Sequence, residues 1–102
     1  EEIAYLRQTR DWLVEELPQR IPGLKTSKPD ATYLLWLDFA DTAIGGNPQP
    51  AKWLRENAKV ALNEGDTFGT GGPGHARLNF STSREILEEA LDRMERAFAA
   101  LD

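Results

Sequence analysis

The chain has 102 residues, 40% hydrophobic and 28% charged, with 17 acidic against 12 basic side chains and a formal charge of −5. That length predicts one domain, residues 1–102, with a modest core that needs no staples. No cysteine and a single histidine exclude a disulfide framework, a cysteine nucleophile and a thiolate or structural zinc site.

The acidic balance also argues against nucleic acid as a partner, since counterion release needs clustered Lys and Arg. No apolar run approaches the ~18 residues of a membrane span, and no signal-peptide pattern is present. The chain opens on Glu1, inside a helix already under way, so it is expected to be an excerpt of a longer polypeptide.

In chain order, residues 1 to 17 place Ile3, Leu6, Leu13 and Leu17 on one stripe of an amphipathic helix, interrupted by Arg10. Pro18 is expected to stop it. The stretch IPGLKTSKPDA reads as a loop or edge strand, with a short strand near 24–27. TYLLWLDF, 32 to 39, reads as a strand. Its alternation sets Tyr33, Leu35, Leu37 and Phe39 against Thr32, Leu34, Trp36 and Asp38. Both faces are mostly apolar, which predicts a largely buried central strand.

A connection rich in Gly and Pro follows, and Pro50 suits the first turn of a second helix. That helix is expected to run through Ala51, Leu54, Ala58 and Leu62 to a glycine C-cap at Gly65. DTFGTGGPGH reads as a loop and ARLNFS as a strand. TSRE, 82 to 85, has the spacing of a capping box between Thr82 and Glu85. Leu87, Leu91, Met94, Phe98 and Leu101 then form an apolar seam, flanked by the i, i+4 pairs Glu89–Arg93 and Asp92–Arg96. The order helix, strand, helix, strand, helix predicts an α+β two-layer sandwich. Its small, mostly antiparallel sheet carries helices on one face and leaves the other open or against another domain.

The candidate sites are few. Gly69, Gly71 and Gly74 match G-x-G-x-x-G, but the loop follows a helix and opens a strand, whereas a dinucleotide turn does the reverse. Arg77 has two open readings: a surface ion pair on an edge strand, or a planar fork gripping a carboxylate beside a glycine loop that lets a ligand approach closely. His75 reads as a strand-edge residue, Asp38 and Asp41 as strand-end and turn residues. Trp12, Trp36 and Trp53 read as core or interdomain contacts. With one histidine no Ser/His/Asp set can be assembled, and no catalytic residue is assigned.

ATYLLWLDF at 31–39, AKVALNEGDTFGTGGPGHARLNFST at 58–82 and SREILEEALDRM at 83–94 resemble the C-terminal small domain of a fold-type-I pyridoxal-phosphate enzyme. The resemblance is to the MalY/PatB-type cystathionine β-lyases, or C–S lyases, of the class I/II aminotransferase superfamily. The lead-in YLRQTRDWLVEEL...IPGLK is similar too, so the likeness covers nearly the whole chain. It implies that Arg77 binds the substrate α-carboxylate, with Asn79, Gly69, Gly71 and Gly72 supporting strand and loop. It further implies a cytoplasmic, homodimeric parent enzyme that takes an amino-acid substrate and releases a thiol, pyruvate and ammonia by β-elimination. The parent's large domain, on the same chain, would hold pyridoxal 5'-phosphate. Lys25, Lys28, Lys52 and Lys59 match no cofactor-lysine motif, so the fragment alone is expected to bind no cofactor and to be inactive. The same domain of an aminotransferase, and a stand-alone α+β ligand-binding or interaction module, are the alternatives.

Overall fold

The computed structural model describes residues 2–27, 34–64 and 74–101. Their order is α1 (Glu2–Arg20), β1 (Lys25–Ser27), β2 (Leu34–Asp38), α2 (Pro50–Asn57), β3 (Asn63–Glu64), β4 (His75–Asn79) and α3 (Arg84–Ala99). The strands form one antiparallel sheet in the order β1-β2-β4-β3, so the two best-patterned strands lie inside and the two shortest at the edges. This is the α+β sandwich that the sequence predicts.

The sheet has one buried face. Leu35 and Leu37 of β2 and Ala76 and Leu78 of β4 point into the core, joined by Phe39 and Phe80 just past the strand ends. The alternate residues Leu34, Trp36, Asp38, His75 and Arg77 are only half-buried. The expectation of a largely buried strand is therefore corrected: period 2 separates the faces, and the described helices cover only one. Thr32 and Tyr33 lie outside the described residues.

In α1 the buried stripe is Thr9, Leu13 and Leu17, continued by Ile21 beyond the helix, with Leu6 packed at its edge. It passes through Thr9 instead of breaking at Arg10. The Thr9 hydroxyl is satisfied inside the helix by donating to the Tyr5 carbonyl at 3.0 Å, which allows full burial. The side chain of Ile3 lies outside the described set. The helix also runs through Pro18, where a stop was expected. Proline deletes one amide, but the turn is still closed by the Ile21 amide on the Leu17 carbonyl at 2.9 Å, with both side chains buried. Gly23 then turns the chain into β1 at φ +89°, and a Cβ there would collide with the Asp41 carbonyl.

Helix α2 is shorter than the sequence predicts. It ends at Asn57, not near Gly65, because Lys59 takes the left-handed conformation (φ 59°) that a C-terminal glycine was expected to supply. The Ala58 amide donates to the Leu54 carbonyl at 2.8 Å, and Arg93 of α3 donates to the Lys59 carbonyl at 3.2 Å. Ala58 and Leu62 are still buried, so the apolar spacing was right while the helix was not. Gly65 itself lies outside the described residues.

Helix α3 carries the seam Leu87, Leu91, Met94 and Phe98, all buried, while Leu101 is exposed past the helix end. Its N-cap is Ser83 rather than Thr82: the Ser83 hydroxyl accepts the Ile86 amide at 3.1 Å, which puts Glu85 in the first turn near the positive helix end. Arg93 pairs with Glu89 at 2.8 Å as expected. Asp92 instead receives Arg20 from α1 at 2.6 Å, and Arg20 also bonds Glu16 at 3.1 Å. The hydrogen bond that Arg20 donates to Asp92 is the main reason its guanidinium is held above its ordinary range. Trp53 tilts against Phe98 with ring centres 5.1 Å apart, tying α2 to α3.

Candidate functional site

The open sheet face gathers polar side chains from both inner strands. Trp36 on β2 pairs directly with Arg77 on β4, and Asp38 pairs with His75. Partners in an antiparallel ladder share a face, with Cβ atoms about 5 Å apart. Arg77 is therefore on an inner strand, between Trp36 and the backbone of Asn63, and not on an edge strand.

Three contacts order this face. The His75 and Trp36 rings meet edge to face, centres 6.3 Å apart and planes at 74°. The His75 Nε2 lies 3.7 Å from the Asp38 Oδ2, close enough for attraction when the imidazole is charged. The other Asp38 oxygen accepts the Ala40 amide at 2.9 Å, the turn role expected of that residue. Asp41, exposed, receives Lys25 at 2.8 Å.

Gly74 enters β4 with φ +85°, donating to the Pro48 carbonyl at 3.1 Å and accepting the Phe39 amide at 3.0 Å. The last glycine of the G-x-G-x-x-G match thus opens a strand, the wrong context for a pyrophosphate. Gly69, Gly71 and Gly72 lie outside the described residues. Asn79 ends β4, its Oδ1 accepting both the Ser81 amide at 2.9 Å and the Ser81 hydroxyl at 2.7 Å. Trp12 and Trp53 lie half-buried against the core, whereas Trp36 stands on the open face. The Arg84 guanidinium is stacked 4.2 Å over the Trp12 ring.

Chemically the face offers a planar cation, an aromatic wall and an imidazole–carboxylate neighbour. That arrangement suits binding an anion of carboxylate shape more than moving protons. Lys25, Lys52 and Lys59 are all exposed, and Lys28 lies outside the described residues. The sequence missed the Trp36–His75–Asp38 chain of contacts, because strand register brings it together and residue type does not announce it.

No protein-family model matches the chain. Relatives do. Cystathionine beta-lyase of Corynebacterium glutamicum is 50% identical over 94 residues, which cover 92% of this chain and 24% of the relative. Over that length the chain is homologous to the cystathionine β-lyases of the MalY/PatB type. Cystathionine beta-lyase PatB of Bacillus subtilis is 33% identical over 95% of the chain and 25% of its own length. A crystal structure from Corynebacterium diphtheriae, assigned as a PLP-dependent beta-cystathionase, superposes with a TM-score of 0.87. It is 52% identical and covers 96% of this chain and 26% of that one. Aspartate aminotransferases also match. The chain spans about a quarter of the length of the lyases it matches.

Proposed function

We propose that this chain is the C-terminal small domain of a PLP-dependent C–S β-lyase and supplies its grip on the substrate α-carboxylate through Arg77. The observation that carries the reading is the position of Arg77: an inner-strand arginine on the sheet face that no described helix covers. Half identity to a cystathionine β-lyase over nearly the whole chain supplies the chemistry to which such a cation belongs.

In the full-length enzyme the cofactor would be held by the part of the polypeptide that this chain does not include. Bound there, pyridoxal phosphate serves as the electron sink for β-elimination from a cystathionine-like amino acid, giving thiol, pyruvate and ammonia. The residues of this chain bind and orient. Arg77 would fix the carboxylate with two parallel hydrogen bonds, a geometry that lysine reproduces poorly. Asn79 would hold the strand end through its bonds to Ser81. Gly69, Gly71 and Gly72 would serve as supporting loop residues. Closure of this domain on its larger partner would exclude water. The isolated chain is expected to be inactive, and the parent enzyme to be a cytoplasmic homodimer.

The test is Arg77→Ala in the full-length enzyme. We expect a higher KM and slower turnover with cofactor absorbance retained, a loss of about 2–5 kcal/mol if the pair is desolvated. Unchanged kinetic constants would reject the carboxylate role. The aspartate aminotransferases among the relatives support a second reading, an aminotransferase that uses the same arginine. Incubation with cystathionine separates the two. Free thiol plus keto acid identifies the lyase, whereas amino transfer to 2-oxoglutarate without thiol identifies the transferase.

A further inference from the structure

We propose that Trp36 is a positioning residue for Arg77, itself braced by His75 and Asp38; the inference rests on the carboxylate reading of Arg77. Trp36 and Arg77 are directly opposed across β2 and β4, so the indole stands beside the base of the arginine side chain on the same face. The indole ring is not loose. His75, diagonal to Trp36 in the ladder, meets it edge to face at 6.3 Å. Asp38, opposite His75, lies 3.7 Å from the imidazole nitrogen. Asp38 is in turn fixed to the Ala40 amide at 2.9 Å. The sequence of contacts runs from a turn at the end of β2, through an imidazole, to the residue beside the cation.

The physical role follows from what an arginine loses on binding. A long flexible side chain must give up several rotamers to present its fork in one plane. A bulky ring held at its flank removes competing rotamers before the ligand arrives, which lowers that ordering cost. A small residue at position 36 would remove that flank and return some of those rotamers to the arginine. An ordinary cross-strand packing pair would instead contribute to folding alone, with no preference for which ligand is bound.

Calorimetry on the full-length holoenzyme separates these roles. The probes are 3-(methylthio)propionate, which has the carboxylate but no amine to react with the cofactor, and its carboxamide. Trp36→Ala is expected to weaken the acid about tenfold and the amide by less than about twofold. Trp36→Phe, which keeps a ring, should restore the acid to within about twofold of the parent. Combined with Arg77→Ala, Trp36→Ala should add less than about twofold, since there is no guanidinium left to position.

Equal losses for acid and amide, or the same penalty with and without Arg77, would overturn the positioning role. If Arg77→Ala weakens the acid but Trp36→Ala does not, the positioning role fails while the carboxylate reading stands. If Arg77→Ala itself leaves the acid unchanged, both fall. Should Trp36→Ala fail to yield folded holoenzyme, Trp36→Leu carries the same comparison.

Discussion

The two faces of the inner strands are made from alternate residues of the same segments, yet they answer to different demands. Leu35, Leu37, Ala76 and Leu78 are sealed beneath the helices, and each is chosen for volume and shape. Trp36, Asp38, His75 and Arg77, one position away, are half-exposed and chosen for charge and ring chemistry. Because side chains alternate along a strand, a fold can tune one set without repacking the other. The difference teaches that neighbours in sequence here should be strangers in phenotype.

The sharpest break in that contrast would come from Leu37→Ala against Trp36→Ala in the 102-residue chain. Deleting a fully buried leucine should cost about 2–5 kcal/mol in urea unfolding. Trp36→Ala removes a larger side chain, but one on the open face, and should cost well under half as much; equal costs would dissolve the division between faces. The helical layer offers a second grade of effect. Ser83→Ala removes the α3 cap and should lower stability by about 1 kcal/mol, while Thr82→Ala, at the position the capping-box spacing favoured, should cost less. The reverse order would return the cap to Thr82.

Smaller still is the clasp between α1 and α3. Arg20→Gln should cost at most about 1 kcal/mol, and added salt should shrink the difference, because Asp92 is half-exposed. Smallest is a pH effect beside the open face. Asp41, by hydrogen bond first and by charge second, raises the Lys25 ammonium above its ordinary 10.5. A raised folded-state value means that the stabilisation is fully present below 10.5 and fades as pH climbs through the folded value. A melting difference between the chain and Lys25→Met that persisted unchanged in strong alkali would contradict the pairing.

How much of this was legible in the residues depends on the range of the interaction. The apolar seam of α3 and the alternation in β2 are local patterns, and both appear where the spacing puts them, apart from exposed Leu101. The end of α2 was not legible, since a lysine at φ 59° contradicts the local preference and is held there by Arg93 from a distant helix. Pro18 misled for a related reason: the burial of Leu17 and Ile21 outweighs one missing amide. The cap shifted by one residue because Thr82 and Ser83 offer the same hydroxyl chemistry. At the candidate site, Arg77 stood out by its place in a glycine-led strand, but its partner Trp36 did not. Register is decided by two strands together, and 36 and 77 are far apart in sequence.

The pinning of Lys59 by Arg93 reaches further than the helix it ends. From that turn the chain leads into β3, whose Asn63 pairs with Arg77, while β2 holds Arg77 from the other side. A strand gripped on both edges cannot slide by one residue without turning its side chains to the opposite face. The backbone of Arg77 is therefore fixed in register, and only its side chain is left to move independently of the sheet.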